Sequence, residues 1–133
     1  MIYVGIDDTD TLESRGTGRL ARNIAESLSS KNKIFGVTRH QLFVHPDIPF
    51  TSHNSCAVIH AEASSSAMEE IFSITKKMMQ EDYIEGSDPG LAIASDDQIT
   101  PAVVAFGLDA KIIIVTQERA HKNISCSWKL KQN

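Results

Sequence analysis

The sequence predicts a single-domain α/β (α+β) sandwich, in which a mixed sheet is covered by helices. Three observations carry that prediction. Short apolar or β-branched runs alternate with segments of helical hydrophobic period, the pattern of a sheet that bears helices. The chain of 133 residues is long enough for one domain with a real core and short for two, so residues 1–133 are read as one unit. Its composition, 41% hydrophobic and 23% charged, is that of ordinary globular proteins rather than of disordered or membrane chains.

Each element has its own signal. Ile2 to Ile6 is apolar almost throughout, as in a short strand covered on both faces. After Gly16 to Gly18, residues Leu20, Ala21, Ile24, Ala25 and Leu28 recur at helical spacing on one face. Ile34 to Val44, rich in β-branched and aromatic residues, reads as a strand irregular at Gly36. The stretch "HPDIPFTSHNS" reads as an ordered loop, because Pro46 and Pro49 exclude a central strand. Cys56 to Ala61 is the next strand. Ser66 and Glu69 have capping-box spacing, and Ala67, Ile71, Ile74 and Met78 continue as a helical stripe to about Gln80. "SDPG" is a turn, and Leu91 to Ala94 is a short buried strand. Thr100-Pro101 opens a helix to about Lys111, with proline at its first position. Ile112 to Val115 is a β-branched run with strand propensity, and Thr116 has the side chain to cap a last short helix.

Several function classes are disfavoured. No run of about 18 apolar residues is present, so no membrane association is expected. The start "MIYVGIDD" lacks the basic and apolar regions of a signal peptide, which makes a cytoplasmic location the expectation. Cys56 and Cys126 fit free thiols in a reducing compartment. The net charge of −4 repels polyanions as a whole, so strong unspecific nucleic-acid binding is not expected.

The chemistry concentrates in "VGIDDTDTLESRGTGRLARNI". Asp7, Asp8 and Asp10 crowd three carboxylates into four positions, each opposing the ionisation of the others, which implies a positive occupant. They follow a strand and precede a helix, the edge at which α/β sheets bind ligands. Carboxylate oxygens are hard donors suited to Mg²⁺. The helix start at Gly16, Thr17 and Gly18 offers free N–H groups and a positive dipole end to a phosphate, Arg15 and Arg19 add positive charge, and Thr17 carries a hydroxyl. The competing reading is a solvated turn in which Asp10 or Ser14 caps a helix, since "RGTG" is not the P-loop pattern.

Other residues say less. His40, His45, His53 and His60 lie within a short stretch, but none has a helical i, i+4 partner and no cysteine pair joins them, so zinc is disfavoured. Cys56 reads as core rather than nucleophile. Met68, Met78 and Met79 read as packing. "TRHQ" places Arg39 or His40 at a strand end near the acids, or on an edge facing water.

At "GIDDTD" the sequence resembles the archaeal agmatinylcytidine synthetase family, which modifies the anticodon cytidine of an isoleucine tRNA with ATP and agmatine. The family's N-terminal kinase-like unit carries a strand, the same Ile-Asp-Asp-Thr-Asp run, a loop and a threonine that becomes phosphorylated. The resemblance implies that Asp7, Asp8 and Asp10 hold Mg²⁺ and the ATP phosphates and that Thr17 stands at the phosphorylated position. "HPDIPFTSHNSCAV" is similar to the family's Pro-x-Ile-Pro loop at Pro46, Ile48, Pro49, Ala57 and Val58, and "SDPG" to its Asn-Pro-Gly turn at Pro89 and Gly90. Thr51 and His53 replace a lysine and an arginine of that loop. The family's oligonucleotide-binding barrel and zinc ribbon have no counterpart in this length. The chain looks closer to short stand-alone relatives marked by "RGTGRLAR", "TRHQL" and "TSHNS", although it ends in "ISCSWKLKQN" where they continue into a Gly-Thr-x-x-Gly segment.

Read together, these residues suggest a Mg²⁺-dependent, ATP-binding phosphotransferase-like domain. Asp7, Asp8, Asp10 and Thr17 would be catalytic, and Arg15, Gly16, Gly18, Arg19, Arg39, Pro89 and Gly90 would bind the nucleotide. Two alternatives stay open: a non-catalytic nucleotide-sensing or partner-binding module, and a subunit of a tRNA-modification complex. Tight binding of tRNA by the isolated chain is not expected. A homo-oligomer or a protein partner remains open.

Overall fold

Alternation along the first strand sets the architecture. In β1 (Ile2–Asp7) the side chains of Ile2, Val4 and Ile6 are buried while Tyr3, Gly5 and Asp7 are half-buried, so one face of the strand is core and the other is less covered. The computed structural model describes residues 1–7, 17–43, 45–47, 55–83, 85, 87, 89–123 and 127–129. After β1 come α1 (Thr17–Leu28), β2 (Lys33–Gln41), β3 (Ser55–Glu62), α2 (Met68–Glu81), β4 (Gly90–Ser95), α3 (Pro101–Asp109), α4 (Gln117–Asn123) and β5 (Ser127–Lys129).

The strands form one sheet in the order β2-β3-β1-β4-β5. Two crossovers interleave: α1 leads from β1 to β2 past β3, and α2 leads from β3 to β4 past β1. The first six elements are therefore a ferredoxin-like βαββαβ unit. Each helix joins strands of the same direction, but another strand lies between them, so neighbouring pairs are antiparallel among the described residues. The expected α+β layering is present, and the sheet read as mixed comes out antiparallel.

All five residues of the expected α1 stripe, Leu20, Ala21, Ile24, Ala25 and Leu28, are buried. They meet Ile2, Val4, Ile6, Ala57, Ile59, Leu91 and Ile93 of the sheet and Ile71 and Met79 of α2 in one core. Thr75 is buried among them, and its hydroxyl donates to the Ile71 carbonyl at 2.8 Å, which removes the cost of an unpaired polar group. Arg19 ties α1 to α2 through Asp82. In β2 one extra residue is accommodated between Ile34, opposite Ala61, and Gly36, opposite His60, a bulge at the expected irregularity.

Three details differ from the sequence reading. α2 begins at Met68 after a 3-10 turn at Ser65–Ala67, with Ala67 as its cap; the Ser66 hydroxyl bonds to Ser64 at 2.7 Å instead of closing a capping box. Strand β2 stops at Gln41, and the Phe43 N–H bonds to the Ala110 carbonyl at 2.8 Å rather than to a strand. Ile112 to Val115 form no strand, and the strand beside β4 is β5. The caps proposed for the later helices are present, with the Thr100 hydroxyl accepting from the Val103 N–H at 3.3 Å and that of Thr116 from the Arg119 N–H at 3.2 Å.

Candidate functional site

The end of the sheet at which β1 finishes gathers the chain's distinctive segments. β1 enters the acidic loop there, α1 begins there, β2 and β3 are joined there by the histidine- and proline-rich loop, and β4 begins there at Gly90, so the glycine of "SDPG" opens the strand rather than ending a turn. The register draws a row across the strands: His40 of β2, Cys56 of β3, Asp7 of β1 and Gly90 of β4. Since Ile2, Val4 and Ile6 face the helices, this row belongs to the opposite, open face.

The placement of the expected site residues follows from this frame. Asp7 is half-buried, with Gly90 directly opposite in β4 and Cys56 opposite in β3. Pro89, just before β4, is fully buried. Thr17 and Gly18 are the first two residues of α1. Asp8, Asp10, Arg15 and Gly16 lie outside the described residues, as do Ile48, Pro49, Thr51 and His53 of the loop. Arg19 extends one nitrogen, Nη2, to both carboxylate oxygens of Asp82, at 3.1 and 3.3 Å, and its Nε is buried with no hydrogen-bond partner among the described residues. Arg39 shares the row of Ala57 and Ile6, so it is at the same sheet end but on the helix-bearing face. Of the two "TRHQ" candidates, it is His40 that joins the row of Asp7.

The electrostatics of the row decide what it can bind. Burial pushes the Cys56 thiol up to about 11, the Asp7 carboxylate adds to that shift, and Lys111 opposes it. The thiol is therefore protonated at neutral pH and is neither a nucleophile nor a soft metal ligand. The Asp7 carboxylate is the hard oxygen donor of the row, the kind that suits Mg²⁺, and the His40 imidazole is its nitrogen donor. No group of three or more His, Cys, Asp or Glu side chains arranged for a metal occurs among the described residues.

Because Cys56 owes part of its shift to Asp7, its reactivity reports on the acid. In a Cys126→Ser background, iodoacetamide at pH 8 is expected to modify Cys56 slowly, and several-fold faster after Asp7→Asn, which removes a charge that opposes the thiolate. Equal alkylation rates, read by mass spectrometry, would contradict the Asp7–Cys56 geometry.

One group of residues went unread in the sequence. The Thr38 hydroxyl lies 2.9 Å from Nε2 of His40 and 2.9 Å from Nε2 of His60. A hydroxyl has one proton, so it donates to one ring at most and accepts from the other. The His40 pKa is lowered by burial first and then by Lys111 and His60. The His60 ring meets Tyr3 edge-on at 5.4 Å, and the Tyr3 hydroxyl donates to Asp96 at 2.7 Å. The signal for this chain was period-two spacing of Thr38 and His40 opposite a strand bearing His60.

Gly18 offers a direct test of the helix start. A Cβ at this position would meet only the tip of the Arg22 side chain, at 3.4 Å. Gly18→Val is therefore expected to fold, with a stability change within about 1 kcal/mol, while lowering ATP affinity about tenfold or more by blocking close approach of a phosphate. Unchanged affinity by calorimetric titration in the folded variant would remove the phosphate from this turn.

No protein-family model matches the chain, and no curated protein matches it. Solved structures do. Apo TiaS, a tRNAIle2 agmatidine synthetase, superposes with a TM-score of 0.78 at 19% identity, covering 98% of this chain and 32% of that one. The TiaS-tRNA(Ile2)-ATP complex gives 0.79 at 20% identity, with 98% and 33% covered. A tRNA fluorescent labeling enzyme gives 0.77 at 21% identity, with 98% and 32% covered. The chain thus spans about a third of the length of these proteins, and at such identities the likeness is one of fold. The fold implied by the resemblance at "GIDDTD" is the fold observed. No described helix is long and apolar enough to cross a membrane.

Proposed function

We propose that this chain is a Mg²⁺-dependent ATP-binding domain of the phosphotransferase type, related to the nucleotide-using part of tRNA agmatinylcytidine synthetases. The observation that carries the reading is that the end of β1, the start of α1 and the start of β4 share one end of the sheet, with Gly90 directly across from Asp7. In this reading Asp7, with Asp8 and Asp10, holds Mg²⁺ on the phosphates. The ion, when bound, neutralises charge on the phosphate oxygens. The N–H groups of Gly16, Thr17 and Gly18 would hold phosphate, and Arg15 and Arg39 would add positive charge. Thr17 would accept the γ-phosphoryl group: its oxygen would bond to phosphorus as the bond to the bridging oxygen breaks, ADP would leave, and the hydroxyl proton would pass to solvent. The solved relatives add support, since TiaS was crystallised with tRNA(Ile2) and ATP and with tRNA(Ile2), AMPCPP and agmatine.

One observation favours the sensing alternative. Arg19, one of two cations expected beside the transferring group, is engaged with Asp82 at 3.1 Å. A site short of cations binds nucleotide better than it turns it over.

Incubation of the protein with ATP and Mg²⁺, followed by nucleotide analysis and intact mass, separates these readings. The expected result is slow ADP formation or the gain of one phosphoryl group that is lost in Thr17→Ala. Intact bound ATP with neither outcome would favour the sensor, and no ATP binding at all would refute both. Bare tRNA is expected to bind weakly and with strong salt dependence. Submicromolar tRNA affinity at near-physiological salt would instead promote the tRNA-modification subunit.

A further inference from the structure

Lys111 is the one basic residue between Gly90 and Gln117. Its place follows from how α3 ends. The helix finishes at Asp109, and the Ala110 carbonyl accepts the Phe43 N–H at 2.8 Å. Phe43 stands two residues beyond the end of β2, so this bond ties the turn after α3 to the sheet end that carries the row of His40, Cys56, Asp7 and Gly90. Lys111 follows directly, and its own N–H bonds to the Leu108 carbonyl at 3.2 Å, which keeps it in that turn.

The side chain of Lys111 is exposed and makes no hydrogen bond or ion pair among the described residues. Asp109, the nearest acid along the chain, is bound instead to Nη2 of Arg119 at 2.6 Å. The positive charge reaches the open face of the sheet, where it opposes protonation of the His40 ring and favours the thiolate of Cys56. The other cations near this sheet end are placed differently: Arg19 is engaged with Asp82, and Arg39 belongs to the helix-bearing face. An ammonium without a carboxylate partner, on the face that bears Asp7, suits an anion.

We propose that Lys111 binds the phosphate chain of the nucleotide at this site, an assignment that rests on the nucleotide reading above. A lysine fits the task because its ammonium is a compact point charge on a flexible stem, able to follow phosphate oxygens from a turn that is itself held to the sheet. The contact supplies the positive charge that the engagement of Arg19 withholds. It also gives the segment after α3 a part in the site, although that segment is far in sequence from the acidic loop and the start of α1.

Calorimetric titration of ATP with Mg²⁺ into the native chain, Lys111→Met, Lys111→Arg and Lys31→Met tests this. Lys31 is an exposed lysine paired with Glu70 at 2.9 Å, so its replacement changes net charge equally but elsewhere. Lys111→Met is expected to keep the native circular dichroism spectrum, because the side chain is exposed, and to lower ATP affinity about tenfold or more. Lys111→Arg should stay within about threefold of the native chain and Lys31→Met within about twofold, as expected for a charge contact at one place. In the native chain, ATP with Mg²⁺ should also protect Lys111, and not Lys31, from acetylation by an activated ester, read by peptide mass. Equal ATP affinity in the native chain and Lys111→Met would overturn the proposal and leave the nucleotide reading standing. Equal losses in Lys111→Met and Lys31→Met, or Lys111 acetylated as fast with ATP as without it, would also overturn it. A native chain that binds no ATP would overturn the nucleotide reading and this assignment with it.

Discussion

Asp7→Asn is expected to abolish most of the thermal stabilisation that ATP and Mg²⁺ give the native chain. A ligand that binds only the folded state at about a hundred times its dissociation constant stabilises it by about 2.7 kcal/mol. In a domain of this length that raises the melting midpoint by on the order of 10 °C. Asn keeps the shape of the side chain and the register of β1 with Cys56 and Gly90, but it removes the negative oxygen that attracts the ion. Without ligand the variant should melt at the native temperature or slightly above it, because one member of the crowded acidic set has lost its charge. That combination distinguishes a lost site from a lost fold. Were the ligand-induced gain the same in both proteins, by scanning calorimetry with and without ATP and Mg²⁺, the acidic edge would not be the nucleotide site.

Ile59→Ala should give the largest loss of stability. Ile59 is 0% exposed in β3, with Val4 of β1 opposite on one side and Val37 of β2 on the other. Truncation removes three carbons and leaves a cavity under α1 that the flanking strands cannot fill, at a cost of about 3–4 kcal/mol. The urea midpoint should fall with no change in slope, and the melting midpoint should drop by on the order of 15 °C. Leu108→Ala, at 61% exposure, is expected to change stability by no more than about 0.5 kcal/mol. A loss below about 1 kcal/mol for Ile59→Ala would mean that the core is not centred on the sheet's middle strands.

Period and punctuation made much of the fold legible. The five-residue stripe of α1 and the Pro at the start of α3 have local causes, and so could be read locally. What escaped depends on neighbours distant in sequence. Ile112 to Val115 has strand propensity, but a strand exists only where it pairs with another, and the partner of β4 is β5. Short β5, Ser127–Lys129, sits in a polar tail with no period to reveal it. Ser66 has the right spacing from Glu69 for a cap, but the Ser64 hydroxyl is its nearer partner. At the candidate site, the place of Asp7 at the end of the first strand was legible because the apolar run stops where the acids begin. The pairing of Thr38 with His40 and His60 was not, because it exists only once the β2–β3 register is set. Arg19 was read as a phosphate ligand from charge and position alone, and its engagement with Asp82 depends on where α2 ends.

The bulge in β2 has an electrostatic outcome at the far end of the strand. Without it, each residue beyond Ile34 would pair one place further along β3, putting Arg39 rather than His40 opposite Cys56. An arginine there would hold positive charge beside Cys56, two strands from Asp7, at every pH. An imidazole does so only when protonated, and the lowered pKa of His40 keeps its ring uncharged at neutral pH. One additional residue near the beginning of the strand thereby trades a permanent counter-charge for a conditional one, and at neutral pH the field of the acidic edge is not cancelled from that position.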